Sequence, residues 1–359
     1  MCYTEFMKTS NNTNNWPLVG NENISDFLMK SIIKRNIAGT YIFSGISDLG
    51  KTRAAKYFAQ ILLCEEADLS GGENMPCGKC RSCNKFSQVE LKEETNLSDV
   101  HGDFYLLNAD KDKKNITIEQ VRDFIKRMGM GSFLGKNKVG IIKDADKLSK
   151  EAANALLKTL EEPKRNVIII LTVNNEDALL PTILSRGQLI KFHPVETAKI
   201  YDYLINKFKL ERSAAKNIAH LSLGRPALAV KFLEDKKLYS YHLDIASKII
   251  SFFSLNIVER YQLLDELLNK TKTKGQEQLR EIERVVSIWE GIIRDLMLLS
   301  LGEGDIIQYE AIQQNYKALL KTVNLTSLLN IFQELKQARI LLKSNVSPKV
   351  VLENVAISF

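Results

Sequence analysis

The sequence predicts an α/β domain built on a parallel sheet, followed by an all-α region, and three observations predict it. Short runs that are apolar throughout alternate with helical periodicities over residues 16–193. Strands read this way when crossover helices cover both faces of a parallel sheet. A glycine-rich loop lies between the first such run and a helix. Beyond Pro194 no further run of that kind occurs, and only helical spacing remains.

Residues 1–15 are polar and Asn/Thr-rich and read as a disordered tail, with structure expected from Trp16-Pro17. Residues 24–37 read as an amphipathic helix, with Asn23 as its cap and Gly39 as its breaker. Tyr41-Ile42-Phe43 suits a buried strand. Residues 51–63 suit a helix, with Ala55, Phe58, Ala59 and Leu62 on one face. Phe104-Tyr105-Leu106-Leu107 is the second strand. A helix over 117–128 follows, with Thr117 and Gln120 spaced as a capping box. Val139-Gly140-Ile141-Ile142 is the third strand. Ser149 then caps a helix to about Leu160, which Pro163 ends. Residues 167–171 form the cleanest strand, residues 181–185 a short helix, and residues 189–192 the fifth strand. Residues 198–233 read as a small helical unit punctuated by Gly224 and Pro226. Residues 239–359 are helical again, with a long segment near 276–301.

Composition narrows the class. Apolar residues make up 45% and charged residues 26% of the chain, as in soluble globular proteins. The net charge of +7 is spread among acidic residues, which describes a mixed solvated surface and not the basic stripe of a dedicated DNA-binding domain. No stretch of about 20 apolar residues occurs. The segment MCYTEFMKTSNNTNNW lacks the apolar core of a signal peptide. A cytoplasmic protein with no membrane partner is the expectation.

Gly45-Ile46-Ser47-Asp48-Leu49-Gly50-Lys51-Thr52 matches the phosphate-loop pattern G-x-x-x-x-G-K-[ST]. A chain of this length would match by chance about once in a hundred, and the flanking strand and helix are those the mechanism needs. Gly45 and Gly50 let backbone N–H groups turn inward around phosphate oxygens, and the helix N-terminus adds partial positive charge. Lys51 supplies a point charge for the outer phosphates, and Thr52 a hydroxyl for Mg²⁺. ATP with Mg²⁺ is the expected ligand.

Hydrolysis needs an acid as well, usually Asp-Glu after four apolar residues. Here the run continues Ile142-Lys143-Asp144. Lys143 stands where the Mg²⁺-holding Asp belongs, and Asp144 where the Glu belongs. An ammonium repels Mg²⁺, and Asp144 is one methylene short of Glu. Asp146 is a possible stand-in that lies past the strand end. ATP binding with little or no hydrolysis follows, unless the strand register shifts by one and Asp144 becomes the metal ligand.

Four of the five cysteines cluster as Cys64-x12-Cys77-x2-Cys80-x2-Cys83. Four soft ligands with no open position suit a structural Zn²⁺ over a redox pair or an iron–sulfur cluster. Gly71, Gly72, Gly78 and Met75-Pro76 supply bends, and Lys79, Arg81 and Lys85 would offset the thiolate charge.

These features occur in one order with Trp16-Pro17-Leu18-Val19-Gly20, Asn154-Ala155-Leu156-Leu157-Lys158-Thr159-Leu160-Glu161-Glu162-Pro163 and Leu184-Ser185-Arg186. Over residues 16–232 the chain resembles the gamma/delta-prime group of bacterial DNA polymerase III clamp-loader subunits, within the AAA+ class. The resemblance implies an AAA+ domain at 16–193 with a zinc insertion at 64–83. It also implies a helical lid at 194–238 and a helical collar for oligomerisation at 239–359. Val19 and Gly20 would touch adenine, Asn174 or Thr172 would act as the polar sensor after the fourth strand, and Arg225 as the second sensor. Arg186 would be an arginine finger offered to the neighbouring subunit's ATP, although Gly187 replaces the family's Cys. Lys143 and the absence of a long extension after the collar favour the stationary delta-prime type over the gamma-type motor. Implied partners are gamma/tau-type and delta-type subunits in a hetero-pentamer, with the sliding clamp and primed DNA reached through the complex. The holoenzyme so implied is a nucleotidyltransferase.

Overall fold

The computed structural model describes residues 16–67, 75–90, 101–109, 115–133, 137–269, 276–342, 344 and 346–359. The expected tail at 1–15, Cys2, and the bends at Gly71 and Gly72 lie outside them. The chain divides into two compact units, one of Met1–Lys199 with Arg225–Ala227 and one of Ile200–Gly224 with Leu228–Phe359.

The first unit runs α1 (Glu22–Ile33), β1 (Thr40–Ser44), α2 (Lys51–Leu63), α3 (Arg81–Glu90), β2 (Phe104–Leu107), α4 (Ile118–Gly129), β3 (Lys138–Ile142), α5 (Lys150–Glu161), β4 (Val167–Val173), α6 (Pro181–Leu184) and β5 (Gln188–Lys191). All strand pairs are parallel, in the order β2-β3-β4-β1-β5. Alternation across the pleat divides each strand between two cores. Tyr41, Phe43, Val139, Ile141, Ile168 and Ile170 pack with α1 and α2. Ile42, Ile142, Ile169 and Leu171 pack with α4, α5 and α6. Both faces are covered, and so the runs are apolar throughout.

Local chemistry accounts for the boundaries. The Thr117–Gln120 capping box forms, with the Thr117 amide donating to Gln120 Oε1 at 2.9 Å. Ser149 Oγ accepts from the Ala152 amide at the start of α5. The start of α1 differs from expectation. It begins at Glu22, after Asn21 in the left-handed region (φ 55°), so Asn23 lies inside the helix. Asn21 spends its amide on the His193 backbone, accepting from N at 2.9 Å and donating to O at 3.0 Å. The helix also ends earlier than the expected residue 37. Arg35 turns left-handed (φ 52°) and the Asn36 amide reaches back to Ser31 O, a Schellman closure made without glycine.

The second unit contains most of α7 (Thr197–Phe208), then α8 (Arg212–Leu221), most of α9 (Pro226–Glu234), α10 (Lys236–Ser251), α11 (Ile257–Asn269), α12 (Gln276–Ser300), α13 (Gln313–Leu319), α14 (Leu325–Leu342) and α15 (Pro348–Ile357). Trp289 of α12 is fully buried against Phe252 and Phe359. Asp295, also of α12, is fully buried and accepts from the amides of Gln308 (2.8 Å) and Tyr309 (2.7 Å) and from the Tyr316 hydroxyl (3.3 Å). One carboxylate thereby fixes the segment after α12. Among the described residues no helix is long and apolar enough to cross a membrane.

Candidate nucleotide and metal sites

In a parallel sheet every strand ends on the same edge, where ligands of open α/β folds bind. The phosphate loop leaves β1 on that edge, between β4 and β5. Gly45 has φ +146° and its Cβ would lie 2.5 Å from Phe192 O, so glycine is required there. The Gly45 amide donates to Val173 O at 3.3 Å, which ties the loop to the end of β4.

Lys51 is 6% exposed. Its ammonium donates to Gly45 O (2.5 Å), Ile46 O (2.6 Å) and Asn174 Oδ1 (3.3 Å). Burial pulls its pKa down, while Asp144, Asp146 and Asp48, in that order of effect, favour the charged form. Asn174 in turn donates to Asp146, from N to Oδ1 at 3.3 Å and from Nδ2 to Oδ2 at 3.4 Å. Thr172 does different work: its buried Oγ1 accepts from the Asp144 amide at 3.1 Å. Of the two sensor candidates, Asn174 is the one that meets the loop.

The carboxylates stand closer to the loop than their place in the sequence suggests. Lys143 is exposed just beyond β3. Asp144 then turns left-handed (φ 52°), and a 3-10 turn over Ala145–Lys147 folds the chain back. That reversal brings Asp146, which straight extension of the strand would carry away, against Asn174. Asp144 Oδ2 pairs with Lys147 Nζ at 2.9 Å.

The rest of the expected cradle converges on the same edge. Leu18 lies against Gly50, and Gly20 backs onto Val195, so Val19 runs beside the loop. Thr52 is the second residue of α2, next to Lys51. After Leu223 and Gly224, both at positive φ, the Ala227 amide donates to Asp48 O at 3.0 Å, which draws Arg225 toward the loop.

Arg186 is elsewhere. It follows α6 and precedes β5, and the pairing of Tyr41 with Gln188 sets Gly187 beside Thr40, the first residue of β1. The five residues of β1 span roughly 16 Å at about 3.3 Å each, so Arg186 occupies the opposite sheet edge from the chain's own loop. Its Nη1 donates to Thr182 O (2.8 Å) and Ser185 Oγ (3.3 Å), and its Nη2 lies 2.6 Å from Glu161 Oε1. A Cβ at Gly187 would lie 2.6 Å from Ile42 Cδ1 and 3.3 Å from Thr40 Cγ2. The glycine lets the chain pack closely on β1, and a Cys there would crowd it.

The Cys64, Cys77, Cys80 and Cys83 sulfurs all lie within 4.8 Å of one another. Cys64 and Cys80 are 4.0 Å apart, as are Cys77 and Cys83. A tetrahedron with Zn–S near 2.3 Å has edges of about 3.8 Å, so the set fits a four-coordinate ion. Backbone amides already face the sulfurs: Cys77 N to Cys64 Sγ (3.5 Å), Lys79 N and Cys80 N to Cys77 Sγ (3.5 and 3.3 Å), and Cys83 N to Cys80 Sγ (3.4 Å). At Cys80 burial is the largest single effect and raises the pKa, but amide and thiol donors together outweigh it and hold the group at about 7. Burial pushes the Cys64 and Cys83 thiols up, a cost that a bound cation would offset. Lys79 and Arg81 are exposed and Lys85 is half-buried.

Three links were not legible in the sequence. Helix α3 grows out of the cysteine cluster at Arg81, and Ser82 within it meets His101 Nε2 at 2.8 Å, which ties the cluster to the start of β2. The Asp146–Asn174 contact had a trace in the Asp144-Ala145-Asp146 spacing. The Glu161–Arg186 pair joins two quoted motifs, and nothing in either motif says that they meet.

A family model described as DNA polymerase III, delta subunit, matches residues 20–196. The DNA polymerase III subunit delta' of Bacillus subtilis is 25% identical over 339 residues, covering 93% of this chain and 94% of its own. The subunit delta' of Haemophilus influenzae is 31% identical over 189 residues, covering 53% of each chain. The DNA polymerase III subunit tau of Bacillus subtilis is 25% identical over 359 residues, covering 94% of this chain and 59% of its own. The chain thus spans less than two thirds of two of these three relatives.

Proposed function

We propose that the chain is a clamp-loader subunit of the AAA+ class and that it acts as a delta-prime-type subunit. In this reading it helps a DNA polymerase III clamp loader place the sliding clamp on primed DNA. It presents Arg186 to ATP held by a neighbouring subunit and does not hydrolyse ATP itself. Its partners are gamma/tau-type and delta-type subunits in a hetero-pentamer, with clamp and DNA reached through that complex. Residues 194–238 serve as the lid and residues 239–359 as the collar. The four cysteines hold a structural zinc.

The observation that carries the reading is the separation of Arg186 from the chain's own phosphate loop by the length of β1. An arginine on that edge serves phosphates other than its own chain's. At the loop itself, Lys51, Thr52, Val19, Gly20, Asn174 and Arg225 suit nucleotide binding. The acids a hydrolase needs are engaged, Asp144 with Lys147 and Asp146 with Asn174. An arginine finger stabilises charge on the transferring phosphoryl group and is worth about 10³–10⁵ in rate.

The test is ATP turnover by the purified chain beside that of the reconstituted complex, with and without Arg186→Ala. The expected result is negligible turnover alone and a loss of about 10³-fold or more at the finger-dependent site. Unchanged turnover by the variant complex would sink the finger assignment.

The nearness of Asp144 and Asp146 to Lys51 supports a second reading, a gamma-type motor. Robust turnover by the isolated chain, abolished by Lys51→Ala, would favour it.

A further inference from the structure

The contact between Glu161 and Arg186 extends the reading above and rests on its finger assignment. We propose that Glu161 is a positioning residue that holds Arg186 against its own chain. The finger is then delivered to a neighbour's nucleotide only when this pair opens.

Three acceptors of one chain hold the guanidinium: Glu161 Oε1 at 2.6 Å, Thr182 O at 2.8 Å and Ser185 Oγ at 3.3 Å. Thr182 and Ser185 are local to α6 and order the side chain wherever it points. Glu161 is 25 residues away in sequence, at the last residue of α5. Its position is set by the fold. Pro163, just past α5, packs on Gly39, whose Cβ would lie 2.8 Å from Pro163 Cγ. Gly187, next to Arg186, packs on Thr40 and Ile42. Both partners are therefore pinned around the start of β1, one at the residue before it and one at Thr40 and Ile42. Leu160 and Ile183, the buried anchors of the two helix ends, belong to one core. This separates the pair from an incidental contact between two long surface side chains.

The electrostatics favour a latch that can open. A carboxylate at a helix C-terminus meets the negative end of the macrodipole, and the Arg186 charge offsets that repulsion. Side-chain exposures of 32% for Arg186 and 47% for Glu161 keep the pair in contact with water. Such pairs contribute about 0.2–1 kcal/mol. A phosphoryl oxygen competes for the same Nη2 edge and forms the same kind of charge-assisted bond. Exchange of carboxylate for phosphate is then nearly balanced, and the latch is overcome once a neighbour's nucleotide docks.

The test uses the reconstituted complex without DNA, carrying Glu161→Gln. The expected result is a rise in ATP turnover of about two- to five-fold, the range that about 0.4–1 kcal/mol allows, with KM unchanged. Added salt should narrow the difference between wild type and variant, since it screens an exposed pair. Glu161→Asp should fall between the two. The double variant Glu161→Gln with Arg186→Ala should match Arg186→Ala alone, because the latch acts only through the finger. Turnover at or below wild type in Glu161→Gln, with Arg186→Ala still impaired, would overturn the latch alone. Unchanged turnover in Arg186→Ala would overturn the finger reading beneath it. Glu161→Gln removes an exposed charge from an unfavourable helix end, so its melting temperature should stay at the wild-type value.

Discussion

Lys51 and Arg186 are both cations suited to phosphate, yet they live in different media. Lys51 is buried at the outgoing edge of the sheet and held by two loop carbonyls and Asn174. Arg186 stands at the incoming edge, partly in water, and its one anionic partner among the contacts described is Glu161. The buried site is held by loop carbonyls, the Asn174 side chain and the bond from the Gly45 amide to the end of β4. The exposed site can exchange partners because its ion pair is weak. A cation meant to hold a ligand is well served by the first arrangement, and a cation meant to reach another chain by the second.

The largest effect that could break this contrast lies in the pair of single variants. Arg186→Ala should lower turnover at the finger-dependent site of the complex by about 10³-fold or more, while Lys51→Ala should mainly weaken nucleotide binding by this chain. Loss of a charge-assisted hydrogen bond worth about 1.5–3 kcal/mol corresponds to roughly 10- to 150-fold in affinity, measurable with a fluorescent nucleotide. If the two variants gave the same defect, the two sites would not be separate.

Next in size is the metal. Cys83→Ala should abolish binding of one zinc equivalent and lower the melting temperature of the first unit. The loss should stay well under the about 10–16 kcal/mol of an isolated zinc peptide, because Tyr57 and Ser82 also tie the module down. Zinc content by elemental analysis decides the first point and thermal melting the second.

Gly187→Ala sharpens the comparison at the exposed edge. The added Cβ meets Ile42, so a loss of about 1–3 kcal/mol is expected from overpacking, read by denaturant unfolding. Arg186 should also shift away from Glu161, so the Glu161→Gln effect should shrink in this background.

The smallest effect is a control in the second unit. Burial raises the pKa of Asp295 above its ordinary 3.8, against the pull of the Gln308 and Tyr309 amides. A folded-state pKa above the unfolded value contributes stability that is present below pH 3.8 and lost as pH rises through the folded value. Stability of the second unit should therefore carry a falling component across that window, and Asp295→Asn should remove it. Melting curves from pH 4 to 7 check this. An unchanged slope in the variant would assign the titration to another group.

Much of the first unit was legible because short-range rules set it. Apolar runs marked the first four strands and a run broken by Lys191 marked the fifth, Ser149 and the Thr117–Gln120 pair marked two helix starts, and the glycine spacing marked the phosphate loop. The start of α1 was misplaced because Asn21 is used by the distant His193 backbone, a partner that no local window contains. Helix α3 was not legible because it continues directly from the loop that bears the cysteines, and Cys83 lies within it.

The sequence by itself determined the chemistry available: a phosphate loop, four thiols, an arginine after a short helix, and no acid at position 143. Residue identity and near-neighbour spacing fix these things. Only the tertiary structure decided which groups meet. It folded Asp146 back to Asn174, chose Asn174 over Thr172 at the loop, and set Glu161 against Arg186. Those pairings depend on where parallel strands end and how closely helices pack on β1, and such distances arise from the whole sheet, not from any stretch of chain.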